Sequence, residues 1–163
     1  MQDNKILWGI ITTVLVIVFI YSLFFSRPTF IVTFDSNGGT AVNSQDVLKN
    51  DLIEEPIEPI KEGYIFEAWM LDEETFDISS VTIQGDITLV ASWEPIIYTI
   101  SFDSNGGNEL DDIEIAHGEI AERPDNPRRS GRRFLYWHQD GERFDFDTPI
   151  TDDINLRARW ERR

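Results

Sequence analysis

Shifting the chain by 68 residues against itself superimposes Val32-Thr33-Phe34-Asp35-Ser36-Asn37-Gly38-Gly39 on Ile100-Ser101-Phe102-Asp103-Ser104-Asn105-Gly106-Gly107. Nothing else in the sequence constrains the fold as strongly, because self-similarity at a fixed period means one structural unit built more than once. At the same offset Pro56 meets Pro124, Pro59 meets Pro127, Gly63 meets Gly131, Phe66 meets Phe134, Trp69 meets Trp137, and Phe76-Asp77 meets Phe144-Asp145. One residue then drops out around residues 79–82, and Asp86-Ile87-Thr88-Leu89 aligns with Asp153-Ile154-Asn155-Leu156, ending in Trp93 and Trp160. Glu94-Pro95-Ile96 is all that separates the copies, and so short a linker containing proline implies restricted motion between them.

Each copy has the period of strands. Phe30, Val32 and Phe34 alternate with Ile31 and Thr33, and Tyr98, Ile100 and Phe102 alternate with Thr99 and Ser101, so one aromatic-rich face points inward. Asn37-Gly38 and Asn105-Gly106 supply the positive-φ pair of a tight hairpin turn, returning the chain along a second strand near residues 42–47 and 110–115. Residues 45–55 have room for one short helix, and Pro56, Pro59 and Gly63 make 56–63 a loop. Residues 66–70 and 87–93 read as third and fourth strands. One short helix or loop over a mixed four-stranded sheet is an α+β unit, mostly β. With no cysteine to supply disulfides, the expected core rests on Phe34, Phe66, Trp69 and Trp93 in the first copy and Phe102, Phe134, Trp137 and Trp160 in the second.

Ahead of the repeats, residues 6–25 contain no charge, and a helix of that length spans roughly 30 Å, the thickness of a bilayer's hydrocarbon layer. Trp8 and Tyr21 near its ends, Lys5 and Arg27 bracketing it, and the bulky Leu23-Phe24-Phe25 where a signal peptide would carry small residues all favour an uncleaved single-pass anchor. The few flanking charges leave its orientation open. The net charge of −16 argues against nucleic acid as a partner, since a nucleic-acid backbone needs a basic face. That charge is uneven: residues 28–95 carry 14 acids against Lys49 and Lys61, and residues 96–163 carry 15 against ten arginines.

The set Phe-Asp-Ser-Asn-Gly-Gly, Pro-x-x-Pro, Gly-Tyr-x-Phe-x-x-Trp and an aspartate-led last strand ending in Trp resembles the Listeria-Bacteroides repeat, the B-repeat of internalin-type surface proteins. The chain departs from that pattern at Ala68 and Tyr136, where glycine is usual, at Val90 and Arg157, where an aromatic is usual, and at Arg132, which replaces a tyrosine. The resemblance implies a compact β-grasp-like fold, export to the bacterial surface with the C-terminal repeats outside, and a spacer or adhesive role without enzymatic activity. The expected architecture is therefore an N-terminal transmembrane anchor, residues 1–28 with its helix over 6–25, followed by two tandem β-grasp-like domains, 29–95 and 96–163. The expected function is adhesion or protein–protein contact at the cell membrane. A scaffold subunit of a larger membrane assembly, with partner membrane subunits, is the alternative.

Arg128, Arg129, Arg132 and Arg133 flank Ser130-Gly131 and form the candidate binding site, since forked guanidinium groups suit the carboxylates or phosphates of a protein or an anionic envelope polymer. Against this stands the plain reading of a solvated face neutralising nearby Asp125 and Asp140. Asp35-Ser36-Asn37-Gly38 and its copy look like the opening of a calcium loop, but the distant bidentate glutamate is not in place, so a hairpin turn is the better reading. Asp111-Asp112 and Asp152-Asp153 read as solvated turns, and His117 and His138 as structural. No histidine-pair zinc motif, nucleophile elbow or phosphate loop is present, so no catalytic residue and no cofactor or metal are expected.

Overall fold

The computed structural model describes residues 11, 14–17 and 27–162. The repeats are all β. The first contains β1 (Thr29–Asp35), β2 (Gln45–Leu48), β3 (Tyr64–Leu71), β4 (Glu74–Thr75) and β5 (Ile87–Pro95), and the second contains β6 (Ile97–Asp103), β7 (Ile113–Ala116), β8 (Arg132–Gln139), β9 (Glu142–Arg143) and β10 (Ile154–Arg162). Each set forms one five-stranded sheet, ordered β2-β1-β5-β3-β4 and β7-β6-β10-β8-β9. The first and last strands of a repeat lie side by side and parallel, with Val32 opposite Ile87 and Phe34 opposite Leu89, and Ile100 opposite Ile154 and Phe102 opposite Leu156. The chain divides into two compact units that do not follow the repeat boundary. Of the described residues, one takes those up to Asp35 together with 42–57 and 69–90, and the other takes 36–41, 58–68 and 91–162.

Two expectations are corrected. The transmembrane helix is not seen: residues 11 and 14–17 are helical, the rest of residues 6–25 lies outside the described residues, and no described helix is long and apolar enough to cross a membrane. The helix expected over residues 45–55 is also absent, so the units are not α+β. Gln45–Leu48 instead pairs antiparallel with β1, burying Val47 between exposed Asp46 and Leu48, and the prolines that follow hold residues 51–61 as loop. Pairs of loops take the helix's place over the sheet. Asn50 N–H donates to the Ile83 carbonyl at 2.8 Å and Ile83 N–H to Asp51 at 2.9 Å, and the second repeat does the same with Gly118 to Ile150 at 2.7 Å and Ile150 to Glu119 at 2.9 Å. The residues so pinned put Ile53 and Ile83, and Ala121 and Ile150, into cores otherwise built from Val32, Phe34, Trp69 and Leu89 or Ile100, Trp137, Leu156 and Ala158.

The Phe-x-x-Trp spacing cannot place both rings on one face of a regular strand, where only every second residue shares a face. A β-bulge resolves it. Arg159 pairs with Tyr136 but Trp160 with Phe134, leaving Leu135 as the extra residue, so β8 turns by one position and both Phe134 and Trp137 face inward. Their rings lie 5.4 Å apart, Trp137 meets Phe102 edge-on at 5.0 Å, and Phe134 meets Trp160 at 5.7 Å. In the first repeat Trp69 meets Phe34 at 4.9 Å, and Phe66 meets Trp93 at 5.7 Å. Trp69, Trp137 and Phe34 are buried, and Phe66, Trp93, Phe102, Phe134 and Trp160 are half-buried.

Candidate functional site

The site is built around the turn after β6. Asn105 and Gly106 both have positive φ, at 49° and 84°, and Gly107 N–H closes the turn on the Ser104 carbonyl at 3.1 Å. The Asn-Gly pair thus makes the tight turn that its residue types favour, although the β6–β7 ladder begins only farther on, with Ile100 opposite Ile113. Trp160 Nε1 donates to the same Ser104 carbonyl at 3.0 Å. The turn is also fastened to the arginine loop, since Asn108 N–H donates to the Arg128 carbonyl at 3.0 Å and Arg128 N–H to Asn108 Oδ1 at 2.5 Å. Asp103 Oδ1 accepts the Asn105 N–H at 2.7 Å, and the Asp103 carboxylate pairs with Arg157 at 3.0 Å, so this carboxylate serves the turn. Among the described residues no group of three or more acidic or histidine side chains is placed to hold a metal ion.

The four arginines divide by role. Arg129 Nη1 donates to the Asn105 carbonyl at 2.5 Å, and its guanidinium packs over Gly106. The equivalent Lys61 donates to the Asn37 carbonyl at 3.1 Å, with its ammonium 4.4 Å from the centre of the Tyr64 ring. A cation at this position therefore caps the turn in both copies, which the sequence alone does not reveal. Arg129→Met keeps the stem but removes the charge-assisted bond, and it is expected to cost about 1.5 kcal/mol in urea unfolding, as for one hydrogen bond to a charged group. An unchanged midpoint would show that the turn needs no cap. Arg133 forms an ion pair with Glu161, its cross-strand neighbour, at 2.5 Å.

Arg128 and Arg132 remain. Among the described residues their guanidinium groups make no hydrogen bond or ion pair; Arg128 is exposed and Arg132 half-buried. The register also sets Arg162 directly opposite Arg132, and like charges facing each other across a sheet destabilise it unless an anion lies between or over them. This third cation escapes sequence reasoning, because only the register brings it there. Arg128 and Arg132 border an open cleft of about 1280 Å³ with Phe134 and Trp160 among its lining residues.

At the equivalent places the first repeat has Ile60, Lys61, Tyr64 and Ile65. There the loop presents apolar groups to solvent, with Ile57 87% and Ile60 74% exposed.

Other conspicuous polar residues serve the fold. Asp86 and Asp153 accept the N–H groups of Ile31 and Thr99, each at 2.8 Å, which explains why the last strand of each copy begins with aspartate. Asp77 accepts the hydroxyls of Ser79 and Ser80, and these hydrogen bonds hold its carboxyl below the usual range. Arg27 pairs with Asp51, whose carboxylate raises the already high pKa of the guanidinium by hydrogen bonding and charge. His117 is half-buried beside Tyr98, whose hydroxyl lies 3.5 Å from Nδ1, and His138 sits on β8 opposite Arg157.

The family profile of the Listeria-Bacteroides repeat domain matches twice, over residues 30–92 and 98–159. A protein of Evansella cellulosilytica named as a membrane protein is 42% identical over 137 residues, covering 80% of this chain and 21% of that protein. A second from the same organism, named as a Gly-rich membrane protein, is 37% identical over 137 residues, covering 80% and 16%. Internalin H of Listeria monocytogenes is 34% identical over 107 residues, covering 61% and 19%. The chain thus spans about a fifth of the length of these relatives.

Proposed function

Because this chain belongs to the Listeria-Bacteroides repeat domain family, we propose that it is a membrane-associated, non-enzymatic surface protein of a bacterium. Its repeats face outward, mediate adhesion and hold a binding face away from the bilayer. The names of the relatives support the membrane association and the internalin likeness. The observation that carries the binding role is that, among the described residues, the guanidinium groups of Arg128 and Arg132 make no hydrogen bond or ion pair over a cleft lined in part by Trp160 and Phe134.

Guanidinium groups already engaged in the fold have fewer N–H donors left for a ligand, whereas free ones can commit all of theirs to charge-assisted bonds with a carboxylate or phosphate. The cleft is therefore a site for an anionic chain, such as a wall polymer or an acidic protein segment. Arg128→Glu with Arg132→Glu is expected to weaken binding of a polyglycerol phosphate chain by at least roughly tenfold, since one charge-assisted hydrogen bond is worth ~1.5 kcal/mol. The fold should persist in circular dichroism, since among the described residues neither guanidinium makes a hydrogen bond or ion pair. Equal affinity of wild type and variant, or no affinity in either, overturns the cleft as the binding site. Protease shaving of intact cells tests the location: loss of the repeats from outside fits the proposal, and survival until the cells are opened refutes it.

A further inference from the structure

The first repeat carries a segment with the chemistry that the cleft of the second lacks. Residues 54–60, Glu-Glu-Pro-Ile-Glu-Pro-Ile, hold three carboxylates and no cation, against Arg128 and Arg132 of the cleft, which Asp125 also lines, while Arg129 is held by the turn and Arg133 by Glu161. The segment is held for display. Gln45 grips its start through two hydrogen bonds to the Glu54 backbone, at 2.8 and 3.0 Å. Ile53 before it and Pro59 within it are buried, which leaves Ile57 87% exposed between two anchored points. The two prolines limit the backbone, so little conformational freedom remains to be lost on binding. An apolar side chain that exposed, flanked by glutamates at Glu55 and Glu58, matches a cleft with aromatic rings in its lining and guanidinium groups at its border.

We propose that residues 54–60 of one copy of this chain dock in the arginine cleft of a second copy, Ile57 toward Trp160 and Phe134 and the glutamates toward Arg128 and Arg132. This rests on the cleft being an anion site. The two surfaces differ, so the contact is heterologous: each chain keeps one donor segment and one cleft free for further copies, and the product is an open chain of molecules rather than a closed pair.

The test is sedimentation velocity of the full chain in mild detergent, comparing low salt with ~0.5 M, where charge pairs are screened within a few ångströms. Wild type is expected to form species beyond the monomer that grow with concentration and shrink in high salt. A cleft variant, R128E/R132E, and a loop variant, E54Q/E55Q/E58Q, whose neutral loop cannot pair with the reversed cleft, should each lose at least nine tenths of those species. Mixed in equal amounts, the two variants should interact through the intact Arg cleft of one and the intact loop of the other, giving a dimer that grows no further. Monomeric wild type, association that survives in either variant, or a mixture that stays monomeric overturns the proposal. Polyglycerol phosphate binding by the loop variant separates the two ideas. If it persists while self-association fails in wild type, only the docking of copies is wrong; if it is lost from wild type as well, the cleft itself is not an anion site.

Discussion

Trp137→Ala is expected to destabilise the second repeat by about 3–5 kcal/mol, the range for removing a large ring from a core. The ring is 1% exposed and lies within aromatic contact of both Phe102 and Phe134. On its inner face it stands opposite Ala158, which is too small to fill the space it would leave. A unit of some 65 residues has only ~3–10 kcal/mol of stability at the usual value per residue, so the variant repeat should lose about half or more of its stability. Urea unfolding followed by circular dichroism should show the midpoint moved to much lower urea, while Trp137→Phe moves it far less. A loss below about 1 kcal/mol would mean that the ring is not what the sheet is built around.

Gly39→Ala is expected to cost about 1–3 kcal/mol, the usual penalty for overfilling a packed site. The reason is proximity. A Cβ at position 39 would lie 2.5 Å from Cζ2 of Trp93 and 3.2 Å from the Ile60 carbonyl. The indole cannot swing aside freely, because Trp93 Nε1 donates to the Ser36 carbonyl at 3.0 Å. Gly107→Ala meets the same obstacle in Trp160 at 2.9 Å and should act in the same direction more mildly. Because that change would displace Trp160 from the cleft, it should also lower polymer affinity, which Gly39→Ala should not. Full stability of Gly39→Ala in thermal unfolding would rule out the tight approach of the indole to the turn.

Much of this was legible in the chain. The 68-residue shift, the alternation in β1 and β6 and the Asn-Gly turns led to sheets with the right first and last strands, because period-two burial is a local property. The loops that replace the helix were not legible. Residues 45–55 contain good helix formers, and only the pairing of Gln45–Leu48 with β1 and the exchange of bonds between Asn50, Asp51 and Ile83 make them a strand and a loop. These are interactions between distant residues, which no window along the sequence contains. The same applies to the arginines. Sequence grouped four of them, but the fold commits Arg129 to a turn and Arg133 to Glu161, and adds Arg162 from the far end of the repeat.

The parallel pairing of first and last strands has a mechanical consequence. In the first repeat β1 begins at one end of the sheet and β5, hydrogen-bonded beside it, leaves at the opposite end; β6 and β10 do the same in the second. Tension applied through the ends of such a repeat pulls these two strands in opposite directions along their length. All the hydrogen bonds between them are then sheared together, whereas in a hairpin pulled from its open end they would break in succession. Pulled from its two ends, each repeat therefore loads this pair of strands in shear.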